Sequence, residues 1–132
     1  GGLRGGATEG GKKGQGTVRE AGLRGGALIR PGVLLKAIDK AARDCIAEAG
    51  YGLYFTHRLG HFIGIREHEA GEVSPNSPLA AKPGMIFSIE PGIYLPGRFG
   101  VRIENLVLVT EDGCELLNHE DRGWKAGLRH GK

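Results

Sequence analysis

Glycine is distributed unevenly along this chain, and that distribution limits what the chain can fold into. Twelve of the 25 glycines lie in residues 1–32, a stretch that contains no aromatic residue. Each glycine in a helix interior costs up to about 1 kcal/mol relative to alanine. We therefore expect residues 1–27 to be a Gly/Arg-rich segment without regular structure, either flexible or foreign to the fold that follows. The alternative is an arm that binds single-stranded RNA, but such arms normally carry stacking aromatic side chains.

Charge follows the same division of the chain. Residues 1–32 carry six basic and two acidic side chains, residues 33–118 carry eight and eleven, and residues 119–132 carry four and two. An acidic middle between basic ends argues against a nucleic-acid-binding domain.

No apolar run approaches the ~20 residues of a membrane helix or resembles a signal peptide, which predicts a cytoplasmic protein without an anchor. Cys45 and Cys114 are too few for a disulfide framework, so we expect both to be reduced and packed.

A helical pattern begins at residue 34. Apolar residues recur at the spacing of one helix face, and they are Leu34, Leu35, Ile38, Ala41, Ala42, Cys45, Ile46 and Ala49. The other face carries Lys36, Asp39, Lys40, Arg43 and Asp44. Because Pro31-Gly32 precedes this pattern and Gly50 follows it, the sequence predicts one long amphipathic helix that ends at a glycine.

Strand patterns replace the helical one after Tyr51. Alternating side chains over residues 85–90 predict a strand closed by Pro91-Gly92. A second strand is predicted from Val101 to Val109, followed by a turn at residues 111–113 and a short return strand. One helix followed by strands with short links indicates an α+β fold with an antiparallel sheet. We expect this domain to cover residues 28–118, with residues 119–132 as a basic tail.

Six polar side chains occur on or beside strands that are otherwise apolar. They are His57, His61, His68, Glu90, Arg102 and Glu104. His57 and His61 would share one face of an extended strand, and so would Arg102 and Glu104. Singly, each has an ordinary explanation, such as a surface histidine or an exposed ion pair that contributes at most ~1 kcal/mol. Together the three His and two Glu side chains form a nitrogen and oxygen ligand set that suits Mn²⁺, Zn²⁺, Co²⁺ or Fe²⁺.

The motifs that contain these residues resemble a known family. They read His57-Arg-Leu-Gly-His-Phe-Ile-Gly64, His68-Glu69, Phe87-Ser-Ile-Glu-Pro-Gly92 and Val101-Arg-Ile-Glu-Asn105. In this order they are similar to the C-terminal half of the catalytic domain of the pita-bread metallopeptidases. That superfamily includes the prolidases, the Xaa-Pro aminopeptidases and the methionine aminopeptidases, and the first two form the nearest branch. The resemblance covers about residues 28–118.

The resemblance implies a role for each of these side chains. His61 and Glu90 match ligands of one ion in a two-metal centre, and Glu104 matches the carboxylate that bridges both ions. His68 matches a histidine that contacts the substrate and stabilises the tetrahedral intermediate. His57 and Arg102 match polar residues around the substrate, and Glu90 would also move a proton to the leaving amine. The implied activity is a metallo-hydrolase of peptides with Pro at the second position, with Mn²⁺ the favoured metal and Zn²⁺ or Co²⁺ the alternatives.

The chain also departs from the family pattern. The family takes two further ligands, both Asp, from upstream of the helix, whereas this chain has no Asp before Asp39. We therefore expect a partial catalytic domain that binds at most one ion and is inactive alone. Phe62 stands where a small residue, usually Gly, is common, and Gly71 stands where the family often has Pro. Two alternatives remain: a non-catalytic homologue that binds protein or RNA, and a half-domain that pairs with a second copy or with another chain.

Overall fold

The computed structural model describes residues 9–63 and 71–118. These ranges contain two helices, one 3₁₀ turn at Gly52–Tyr54 and seven short strands. The helices are α1 (Glu9–Ala27) and α2 (Leu35–Glu48); the strands are β1 (Gly60–His61), β2 (Glu72–Val73), β3 (Ile86–Ile89), β4 (Gly92–Leu95), β5 (Phe99–Arg102), β6 (Asn105–Val109) and β7 (Cys114–Leu116). The predicted α+β class is confirmed. The tail at residues 119–132 and the segment that contains His68 lie outside the described residues.

The strands form three small antiparallel sheets rather than one. β1 pairs with β2, β4 pairs with β5, and β6 lies between β3 and β7. The single strand predicted from Val101 to Val109 is wrong, because the chain leaves one sheet at Arg102 and enters another at Asn105. β5 pairs back onto β4 and β6 pairs with β3, so the break redirects the chain between sheets. The predicted hairpin after residue 109 is confirmed as the β6–β7 pair.

Helix α2 forms where the apolar period predicts it. Its inner face is fully buried at Leu35, Ile38 and Ile46. Gly50 ends the helix with φ +94°, and its N–H donates to the carbonyl of Ala47 at 2.9 Å, as a left-handed glycine stop requires. One side chain departs from the predicted polar face of the helix, because Asp39 is fully buried.

Helix α1 overturns the expectation that residues 9–27 lack regular structure. Its inward side chains are small, and Val18 and Ala21 are fully buried. A Cβ at Gly14 would lie 2.6 Å from the Phe99 ring, and one at Gly25 would lie 3.4 Å from the Ile38 carbonyl oxygen. Glycine lets the α1 backbone approach β5 and α2 this closely, so the packing outweighs the low helix propensity of the segment. An unstructured RNA-binding arm over residues 9–27 does not agree with this helix.

Both cysteines are free and buried, as the sequence predicts. Burial raises the pKa of the Cys45 thiol, and it raises the pKa of the Cys114 thiol to about 12. Neither of the two described helices is both long and apolar enough to cross a membrane.

Candidate functional site

Strand β1 lies directly against β3, and this contact places the first two candidate residues side by side. The Glu90 N–H donates to the Leu59 carbonyl at 2.7 Å, and the Ile63 N–H donates to the Ile86 carbonyl at 2.8 Å. Between these bonds, a Cβ at Gly60 would overlap the backbone carbonyl of Ser88. A glycine is therefore required immediately before His61, because any side chain would separate β1 from β3.

His61 and Glu90 face each other across this contact. His61 Nε2 lies 3.2 Å from Glu90 Oε2, and the Glu90 side chain is only 12% exposed. His61 Nδ1 lies 3.3 Å from the Phe62 carbonyl oxygen, so whichever ring nitrogen carries the proton faces an oxygen that can accept it. An ion bound at Nε2 would require the proton on Nδ1, where the Phe62 carbonyl can accept it, and a backbone carbonyl in this place is the usual support of a metal-binding histidine. The pair fits a divalent ion that accepts imidazole and carboxylate ligands, such as Mn²⁺, Zn²⁺ or Co²⁺.

Ser88 connects the two residues, although the sequence predicts no role for it. Its buried hydroxyl donates to Glu90 Oε2 at 2.6 Å and accepts the His61 backbone N–H at 3.0 Å. Arg102 Nη1 lies 3.7 Å from the other carboxylate oxygen, Oε1. Both Glu90 oxygens therefore face positive or proton-donating groups. The signal that could have identified Ser88 is a polar residue in a strand whose other residues are Ile86, Phe87 and Ile89.

Glu104 is not brought into this cluster. It is exposed and lies in the link between β5 and β6, so it does not share a strand with Arg102 as predicted. Over residues 9–63 and 71–118, no three His, Cys, Asp or Glu side chains lie close enough together to hold a metal ion. The structure thus brings His61, Glu90 and Arg102 together, while the full ligand set of His61, Glu90 and Glu104 stays a prediction.

His57 precedes the cluster along the chain and does not lie on a strand. The predicted face shared with His61 is wrong, because β1 begins only at Gly60 and His57 precedes it in a bend. Its ring packs against Phe55 and Tyr94, with centroid distances of 5.0 and 5.7 Å. His57 Nδ1 lies 2.7 Å from the Arg58 carbonyl oxygen, and Nε2 lies 3.4 Å from the Tyr94 hydroxyl. The sequence motifs did not identify Tyr94 as a neighbour of His57, although Tyr94 lies only two residues after the Pro91-Gly92 turn.

Comparisons with known proteins identify the family to which the chain belongs. The sequence profile of metallopeptidase family M24 matches residues 8–111. The chain belongs to metallopeptidase family M24. The predicted resemblance to the pita-bread family is thereby confirmed, and the M24 match includes α1, which the sequence analysis had set apart from the domain.

Several M24 relatives are peptidases by name. The chain is 52% identical over 105 residues to an uncharacterized peptidase of Staphylococcus haemolyticus, covering 80% of this chain and 30% of that protein. It resembles the prolidase from Pyrococcus furiosus with a TM-score of 0.83 and 42% identity, covering 89% of this chain and 35% of that one. For the X-Pro aminopeptidase from Thermotoga maritima the TM-score is 0.80 and the identity 40%, covering 87% and 33%. The chain thus spans about a third of the length of each of these relatives.

Proposed function

We propose that this chain supplies part of the active site of a metal-dependent Xaa-Pro peptidase of the prolidase or Xaa-Pro aminopeptidase type. The observation that supports this most directly is the His61 and Glu90 pair, whose ring nitrogen and carboxylate oxygen converge at 3.2 Å. The names of the similar structures, a prolidase and an X-Pro aminopeptidase, favour peptides with Pro at the second position as substrates. We further propose Mn²⁺ as the metal and the cytoplasm as the location.

The proposed roles follow the resemblance of the motifs. His61 and Glu90 would hold the ion together with Glu104, which would have to turn from its exposed position toward them. A bound divalent ion polarises a scissile carbonyl and lowers the pKa of a coordinated water. Glu90 would also carry a proton to the leaving amine, and the Ser88 hydroxyl keeps its carboxylate in place for that transfer. His68, His57 and Arg102 would contact the substrate around this centre.

We expect the 132 residues alone to bind at most one ion and to lack peptidase activity. The family's two Asp ligands have no counterpart before Asp39, so a second ion would have little support. A second copy of the chain or a complementing half-domain is the partner that we propose would complete the site. A single monomeric peak in size-exclusion chromatography would argue against pairing between two copies.

Calorimetric titration with Mn²⁺ tests the proposed metal site. The unaltered chain should release binding heat, and His61→Ala should abolish it because the ring nitrogen is lost. Glu72→Gln is a matched control: Glu72 is an exposed carboxylate that pairs with Arg58 at 3.1 Å, and its register partner on β1 is His61. Equal heats from the unaltered chain and His61→Ala would refute the site. A reduced binding heat for Glu104→Gln would show separately that Glu104 takes part in the metal site.

A further inference from the structure

The segment at residues 55–59 carries His57 and leads directly into β1, yet it belongs to no helix or strand. Three of its backbone polar groups are bound instead by side chains of α2. Arg43 donates to the carbonyl oxygens of Phe55 and His57 at 3.2 and 3.0 Å, and the Leu59 N–H donates to Asp39 Oδ2 at 3.1 Å. These side-chain hydrogen bonds satisfy backbone groups that strand pairing would otherwise satisfy, and they hold the segment against α2.

Asp39 and Arg43 form a closed pair one helical turn apart. Arg43 donates from Nε to Asp39 Oδ1 at 2.8 Å and from Nη2 to Oδ2 at 3.0 Å, and its guanidinium lies 4.2 Å from the Phe55 ring centroid. Asp39 is fully buried, so its charge depends on these donors. The planar guanidinium binds one carboxylate and two carbonyls at once, an arrangement that a lysine ammonium cannot reproduce.

Leu59 links the Asp39 and Arg43 pair to Glu90, the carboxylate of the site. The Leu59 N–H donates to Asp39, and the Leu59 carbonyl accepts the Glu90 N–H at 2.7 Å. Arg43 binds the carbonyl of His57, and His61 follows two residues after Leu59. One partly buried ion pair on α2 therefore fixes the backbone beside all three of these side chains.

We propose that Asp39 and Arg43 are positioning residues that set the placement of His57, His61 and Glu90. The inference rests on the function proposed above for His61 and Glu90. Arg43 binds the backbone of His57 and Asp39 binds the backbone of Leu59, so both act through the backbone of residues 55–59. A pair that only stabilised the fold would leave the rings of His57 and His61 unchanged as long as the chain stayed folded.

Helix α2 offers a matched control pair. Lys40 and Asp44 have the same i,i+4 spacing and the same two charges in the reverse order, and Lys40 Nζ lies 2.7 Å from Asp44 Oδ2. Their side chains are 74% and 51% exposed, so they contact solvent rather than the segment at residues 55–59. Altering Lys40 changes the helix charge without removing any bond to that segment.

The experiment compares Arg43→Lys, Asp39→Asn and the control Lys40→Gln in the full 132-residue chain. Circular dichroism first establishes which variants are folded. Long-range ¹H–¹⁵N NMR at one fixed pH then reports the tautomers of His57 and His61, and calorimetry reports Mn²⁺ affinity. Arg43→Lys keeps the charge opposite Asp39 and is expected to fold even if Asp39→Asn does not.

We expect Arg43→Lys to change the ring signals of His57 and to weaken Mn²⁺ binding about tenfold or more, the usual effect of removing an outer-shell partner. Lys40→Gln should match the unaltered chain in both measurements. A folded Arg43→Lys with unaltered ring signals and unaltered Mn²⁺ affinity would overturn the inference. If the unaltered chain binds no Mn²⁺, the proposed function fails for this chain, and the ring signals alone decide the positioning role.

Discussion

Replacing Ser88 with alanine tests the hydrogen-bonded link between His61 and Glu90. The change removes one buried hydroxyl and two bonds, a 2.6 Å bond to the Glu90 carboxylate and a 3.0 Å bond from the His61 N–H. A hydrogen bond to a charged group contributes about 1.5–3 kcal/mol, and a neutral one contributes about 1 kcal/mol. We therefore expect the free energy of unfolding to fall by about 3 kcal/mol, and Mn²⁺ affinity to fall about tenfold or more because the carboxylate loses its support.

Ser77→Ala is the matched control for this change. Ser77 is also a buried serine, but among residues 9–63 and 71–118 its hydroxyl accepts only the Leu79 N–H at 3.3 Å, so the expected loss is about 1 kcal/mol. Urea unfolding followed by circular dichroism measures both stabilities, and calorimetry measures Mn²⁺ binding. Equal losses of stability for the two serine variants, with Mn²⁺ binding unaltered in Ser88→Ala, would refute the link between His61 and Glu90.

Two further predictions concern the packing of α1 and the protonation of a buried thiol. Gly14→Ala should destabilise the chain by about 1–3 kcal/mol, because the new Cβ would lie 2.6 Å from the packed Phe99 ring. Gly16→Ala, where the new Cβ would have open space around it, should stabilise the chain by up to about 1 kcal/mol. The two variants should therefore shift the midpoint of thermal unfolding in opposite directions. Because burial raises the pKa of the Cys114 thiol from its ordinary 9.0 to about 12, the folded chain keeps a proton that the unfolded chain loses. Its contribution to stability should be complete below pH 9 and decline as the pH rises toward 12, and Cys114→Ala should show a shallower decline in urea titrations over that window.

Local sequence patterns were sufficient for the elements whose stability comes from their own apolar period. Helix α2 and its glycine stop follow from the spacing of Leu35, Ile38 and Ile46 and from the position of Gly50. Helix α1 could not be predicted by the same reasoning, because its glycines count against a helix in any propensity sum. Its actual signal is a helical period of small residues, at positions 10, 14, 18, 21 and 25, which becomes meaningful only when a neighbouring surface lies close to them.

The candidate site shows the same limit in a different form. The sequence motifs singled out His61 and Glu90 as residue types, but spacing alone could not show that Gly60 brings their strands into contact. Asp39 and Arg43 fell on the polar face of α2, which sequence reasoning treats as solvated. Their real partners are the backbone groups of Phe55, His57 and Leu59, which are 12 to 20 residues away along the chain. A side chain that binds distant backbone leaves no periodic signal in the sequence.

Phe62 and Gly71, two of the departures from the family pattern, are in contact with each other. The Phe62 N–H donates to the Gly71 carbonyl at 3.0 Å, and the Phe62 ring also stacks against Phe87 with centroids 6.1 Å apart. A Cβ at Gly71 would lie 2.5 Å from that ring, so Pro at this position would collide with it. The large residue after His61 therefore requires a glycine opposite it. The volume of the Phe62 ring is accommodated by the absence of a side chain at Gly71. Because the Phe62 ring packs onto Phe87 and Gly71, its bulk supports β1 immediately after His61, the candidate metal ligand.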